Sequence, residues 1–128
     1  MEDTAKNNVL EIARLIEEHR GADVTALYIG EMASWTDYFI ITTVRSSAHL
    51  KGLLRSIYEY LDRKDIEPLN KRRFLDSEEG WILIDCGDLV IHLMDREHRS
   101  FYELEKLWFR NRLIYSSNSS KSSSSSIS

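Results

Sequence analysis

Between Trp81 and Met94 two strand-length runs, WILID and LVIHLM, flank a Cys86-Gly87-Asp88 step. Apolar runs of that length about a central glycine predict a β-hairpin, with Trp81–Asp85 and Leu89–Met94 as its strands and Cys86-Gly87 as its two-residue turn. Pairing across that turn sets Asp85 opposite Asp88, Leu83 opposite Val90 and Trp81 opposite His92, all on one face. The other face is wholly aliphatic, holding Ile82, Ile84, Leu89, Ile91 and Leu93. Strand side chains alternate, so the aliphatic set is expected to point into a core and the mixed set to be partly exposed or covered by polar partners. A three-residue turn would shift the pairing and mix the faces.

The segments that could cover the aliphatic face can be read from their own periodicity. Val9, Ile12, Ala13 and Ile16 recur at helical spacing within Thr4 to Arg20, with Asp3 or Thr4 as N-cap and Gly21 as the stop. Val24–Ile29 and Tyr38–Val44 (YFIITTV) are rich in the β-branched and aromatic residues that favour strands. Ser46 or Ser47 caps a helix whose Leu50, Leu53, Leu54, Ile57 and Leu61 form one stripe. Pro68 breaks it, and the basic Leu69–Leu75 segment is read as an edge strand guarded by Lys71, Arg72 and Arg73. Asp95 caps a last helix with Phe101, Leu104, Leu107 and Trp108 on its buried side. The order is αββαβββα, an α/β fold with a small mixed sheet of about five strands flanked by helices. The helix after the second strand is suited to a right-handed crossover. Residues 1–115 make a single domain, one core's worth of chain, and the serine-rich residues 116–128, with almost nothing to bury, are expected to be a disordered tail.

Charge narrows the partners. The formal net charge is −4, but Asp76 to Glu105 carries nine acidic residues against Arg96 and Arg99. A nucleic-acid-binding face is normally basic, so this segment suits a basic protein better than bare RNA, and a plain solvated surface is the competing reading. No apolar run approaches the roughly 20 residues of a membrane span. The lone Cys86, without a signal peptide, points to a reducing cytoplasm.

On the mixed face, Trp81 and His92 beside Asp85 and Asp88 have the chemistry to grip a basic surface, the indole burying area while the acids orient lysines and arginines. Trp81 capping the core edge and His92 bonding locally would explain the same residues. Arg99, Tyr102 and Glu105 recur at helical spacing and could extend the patch, or form an ion pair and a packed ring. The spacing of Asp85, Cys86, Asp88, His92 and His98 matches no zinc pattern, so no metal or cofactor is expected. Two acids beside Cys86 should raise its thiol pKa and leave it inert. The Thr42–Ser47 strand-to-helix step lacks the glycine that close approach to a phosphate calls for, so a serine cap is expected there.

Taken together, Thr36-Asp37-Tyr38-Phe39-Ile40-Ile41, Ser46-Ser47 with His49, the hairpin from Trp81 to His92, and Arg99 with Phe101-Tyr102 and Leu104 to Trp108 resemble the Iojap family of ribosomal silencing factors. The resemblance runs from Val9 to Trp108. It implies a nucleotidyltransferase-like fold without catalytic equipment, and a protein that binds the large ribosomal subunit through its basic ribosomal protein number fourteen. By that binding it would block small-subunit joining and repress translation, or assist large-subunit biogenesis as organellar relatives do. The N-terminus, with no Arg-rich transit peptide, resembles the cytoplasmic bacterial type. Trp81 would be the anchor, Asp85 and Asp88 the charge partners, and His92, Arg99, Tyr102 and Glu105 the rim. No sequence-specific nucleic acid is implied. Two other readings stay open: a nucleotidyltransferase-type enzyme holding Mg²⁺ on Asp85 and Asp88, and a plain assembly module that forms a homodimer when free.

Overall fold

A computed structural model of the chain describes residues 4–31, 34, 36–69, 81–97 and 112–117. The first helix, α1 (Thr4–Glu18), buries the expected Val9, Ile12, Ala13 and Ile16. It ends differently from expectation: the left-handed residue is Arg20, at φ 71°, and Gly21 follows it with its N–H donating to the Ile16 carbonyl at 2.9 Å. That i to i−5 bond closes the last turn in the Schellman manner. Gly21 is needed for space, since a Cβ there would lie 2.4 Å from Ile16 Cγ2 and 2.7 Å from Thr42 Oγ1.

Strand β1 (Ala22–Tyr28) pairs antiparallel with β2 (Tyr38–Thr43), and a bulge between Ala22 and Thr25 holds Asp23 at φ 50°. Helix α2 (Ser47–Arg63) is capped by Ser46, whose hydroxyl accepts from His49 N–H at 3.1 Å. All five stripe leucines and isoleucines of α2 are buried, together with Tyr60. The helix stops well short of Pro68, again through a left-handed residue, Asp65 at φ 62°, followed by an Ile66 N–H to Leu61 C=O bond of 2.8 Å. His49 stitches the two helix ends together, accepting from Arg45 N–H through Nδ1 and contacting the His19 carbonyl through Nε2 at 2.9 Å.

Strands β3 (Trp81–Asp85) and β4 (Leu89–Met94) have the bounds read from sequence, and β5 (Arg112–Ser116) completes a mixed sheet in the order β3-β4-β2-β1-β5. The β2–β4 pair is parallel and every other pair is antiparallel. Strand β5 was not expected, nor was the ordering of Ser116 and Ser117, which sequence places in the tail. They are held because β1 offers them partners: Ser117 N–H donates to the Val24 carbonyl at 2.9 Å, and Val24 N–H donates to Ser117 Oγ at 2.9 Å. Of the proposed Leu69–Leu75 strand only Leu69 is described. Of the last helix only Arg96 and Glu97 are described, and both are helical; its Phe101, Leu104, Leu107 and Trp108 lie outside the described residues.

Both α1 and α2 pack on one face of the sheet, where Val24, Ala26, Ile40, Ile82, Ile84, Leu89, Ile91 and Leu93 meet the two helix stripes. The opposite face has a smaller cluster of Leu27, Ile29, Ile41 and Met94, with Phe39 and Trp81 packed against it. The edge strand β3 therefore presents one face to the main core and the other to the rim of this second cluster.

Candidate functional site

The hairpin keeps its two faces but not its expected pairing. Trp81 lies opposite Met94, Leu83 opposite His92 and Asp85 opposite Val90. The turn is centred on Gly87-Asp88, with Cys86 N–H donating to the Leu89 carbonyl at 2.9 Å. The reason is conformational: Gly87 takes φ 88°, a left-handed value that would strain cysteine at the same slot of a Cys86-Gly87 turn. Asp88 N–H closes on the Cys86 carbonyl at 3.1 Å, a γ-turn about the glycine, and Gly87 N–H donates to Asp85 Oδ1 at 2.9 Å. Moving the turn centre by one residue slides the strands by two positions, which preserves side-chain parity. Ile82, Ile84, Leu89, Ile91 and Leu93 accordingly all face the helices.

The mixed face is less uniform than its sequence suggests. Trp81, Leu83 and Asp85 are half-buried along the edge strand, and the Asp88 side chain is exposed at the turn. His92, read as part of the rim, is only 5% exposed, between the fully buried Val90 and Met94 of its own face. Its Nδ1 accepts from Trp81 Nε1–H at 3.4 Å, and Phe39 on β2 meets the imidazole edge-on with ring centroids 4.6 Å apart. Burial drives the His92 pKa down to about 4, so the ring is neutral at physiological pH. Arg99, Tyr102 and Glu105 lie outside the described residues.

Two features of this site carried little sequence signal. The Asp88 carbonyl accepts from both Asp37 N–H and Tyr38 N–H at 3.1 Å, fixing the hairpin tip to the start of β2. Leu69 is 67% exposed yet pinned, its N–H donating to the Asp85 carbonyl at 2.7 Å on the outer edge of β3. The proline before it hints at a fixed backbone, but nothing in the local pattern places it beside Asp85.

The other chemistries weighed from sequence find limited equipment. Asp85 spends one carboxylate oxygen on its own turn, and the Ser46 hydroxyl is occupied as a helix cap. Among the described residues no three His, Cys, Asp or Glu side chains converge as a metal site requires. Cys86 is half-buried, and burial first, then the Asp85 charge, pushes its thiol up to about 12, so it is protonated and unreactive. No described helix is long and apolar enough to cross a membrane.

The family model described as ribosomal silencing factor during starvation matches residues 2–127. A protein of Bacillus subtilis, ribosomal silencing factor RsfS, is 32% identical over 104 residues, covering 80% of this chain and 86% of its own length. A mouse protein, mitochondrial assembly of ribosomal large subunit protein 1, is 32% identical over 107 residues, covering 81% of this chain but 46% of its own length. In three dimensions, the crystal structure of a Chromobacterium violaceum protein superposes with a TM-score of 0.70 at 26% identity, covering 84% of this chain and 87% of the other.

Proposed function

The chain belongs to the ribosomal silencing factor family, and from that premise we propose that it is a non-enzymatic protein that docks on the large ribosomal subunit and sterically prevents the small subunit from joining. Its immediate partner is a basic ribosomal protein, number fourteen of the large subunit, and the outcome is repression of translation. The mouse relative, named for large-subunit assembly, supports the same subunit as the target.

The observation that carries this reading is the make-up of the hairpin edge. An aromatic anchor, half-buried Trp81, shares a face with Asp85, while exposed Asp88 stands at a turn tied to β2 by two backbone hydrogen bonds. Acids on a rigid tip beside a large amphipathic ring suit a lysine- and arginine-rich protein surface, where charges speed and orient encounter and the ring supplies buried area. Arg99, Tyr102 and Glu105 extend this surface in the proposal.

Co-sedimentation with purified large subunits tests it. The native protein should pellet with free large subunits and not with joined ribosomes, and the double variant Trp81→Ala, Asp88→Ala should lose at least tenfold in retention. Undiminished retention of that variant removes the hairpin edge from the mechanism.

A further inference from the structure

His92 is costly where it stands. Its face neighbours are apolar, with Ile41 beside it on β2, Leu83 opposite it on β3, and Val90 and Met94 on its own strand. Its Nε2 is buried with no hydrogen-bond partner among the described residues. A leucine would fill the same position without that penalty. What the imidazole does supply is an acceptor. Trp81 and His92 are diagonal neighbours across β3 and β4, a separation that only large side chains bridge. Their ring centroids are 6.1 Å apart with the planes tilted by 35°. Phe39 abuts the imidazole from the other strand, so the ring is clamped between β2 and β3.

We infer that His92 is a positioning residue for Trp81: by accepting the indole N–H at Nδ1 it fixes which part of the indole the edge strand presents to a basic partner. This rests on the docking reading above. An unheld indole N–H would turn toward water, and the ring with it, because tryptophan N–H groups at half-buried sites seek an acceptor. The acceptor role demands the neutral ring with the proton on Nε2; the apolar surroundings keep the ring neutral, and the indole N–H selects the tautomer. On this face β2 contributes Phe39, Ile41 and Thr43 and β4 contributes Val90 and Met94. The acid that β3 places on the same face is Asp85, which accepts from Gly87 N–H at the turn.

The test pairs two substitutions at His92 with Trp81→Phe. His92→Asn keeps an acceptor near the position of Nδ1, whereas His92→Leu removes it while filling the space. Trp81 emission, taken as the difference from Trp81→Phe, should shift to longer wavelength in His92→Leu and stay in place in His92→Asn, with no ribosomes present. In co-sedimentation with large subunits, Trp81→Phe and His92→Leu should each weaken binding about tenfold, their combination should be no weaker than either alone, and His92→Asn should remain within about threefold of the native protein. Additive losses, an unshifted emission in His92→Leu, or His92→Asn as weak as His92→Leu each overturns the inference and leaves docking through Trp81 standing. An emission shift with subunit binding intact in every variant overturns the docking reading itself, and with it the purpose assigned to His92. A merely structural histidine would alter melting temperature in both variants without separating them in emission.

Discussion

The Tyr60 hydroxyl donates to the Glu11 carboxylate across 2.5 Å, joining α2 to α1 at the end remote from the His49 bridge. Burial, and then this hydrogen bond, hold the phenol well above its ordinary pKa. Folding therefore binds that proton more tightly, and the associated stability is complete at neutral pH and is lost as pH rises past about 10, where the unfolded phenol ionises. Tyr60→Phe should cost about 1 kcal/mol at pH 7, a melting temperature lower by roughly 4 °C. It should also flatten the alkaline decline in stability, which denaturant melts at pH 8 and pH 10.5 would register.

His92 imposes the opposite dependence. Its folded pKa lies near 4, below the ordinary 6.5, because burial disfavours the charged ring. The unfolded chain takes up the proton first, so stability present above pH 6.5 declines as pH falls toward 4, by on the order of 3 kcal/mol. Chemical unfolding across that window should show the native protein losing stability in acid that His92→Leu keeps, so that the variant's advantage is smallest at neutral pH and widens as pH falls toward 4. Parallel curves would contradict the burial of this ring.

The helix ends offer a stabilising change and a destabilising one in adjacent residues. Arg20 occupies left-handed backbone that glycine adopts freely, so Arg20→Gly should raise stability by up to about 1 kcal/mol. Gly21→Ala, one residue on, should lower it by about 1–3 kcal/mol, because the new methyl meets Ile16 and Thr42 inside contact distance. Asp65→Gly should behave as Arg20→Gly does, with the added relief of removing an anion from the negative end of α2. Thermal melts of the three variants decide all of these.

At the hairpin tip, stability and docking should fall together. Gly87→Ala forces a side chain into φ 88°, at a cost of about 1–2 kcal/mol, and displaces the Asp88 carbonyl from its two donors on the β2 side. Retention on large subunits should drop severalfold even at a temperature where the variant is fully folded. Asp88→Asn, which keeps the backbone geometry, should weaken retention without moving the melting temperature.

Much of this architecture was readable because period and burial agree. The α2 stripe of Leu50, Leu53, Leu54, Ile57 and Leu61, and the aliphatic face of the hairpin, are patterns that only one packing satisfies. The hairpin register is ambiguous in sequence for a local reason: both Cys86-Gly87 and Gly87-Asp88 can serve as two-residue turns, and the choice falls to which slot requires positive φ. Strand β5 was missed because RLIYS, leading into serines, carries no alternation of its own and gains its partners from β1, remote in sequence. At the site, the residues on each face were legible but their depth was not. His92 reads as a rim residue because it is polar, and only the packing of Phe39, Ile41 and Leu83 around it shows that it is buried in the sheet face.

The pairing of β1 with β5 sets the timetable by which this molecule is made. Val24 and Ser117, 93 residues apart, exchange the hydrogen bonds that finish the sheet. During synthesis β1 emerges early and must wait, one edge unpaired, until the last described strand follows it. Closing so long a loop is entropically expensive and slow. Until a segment 93 residues downstream of Val24 has been made, the sheet therefore keeps an open edge at β1 that could pair with the wrong strand.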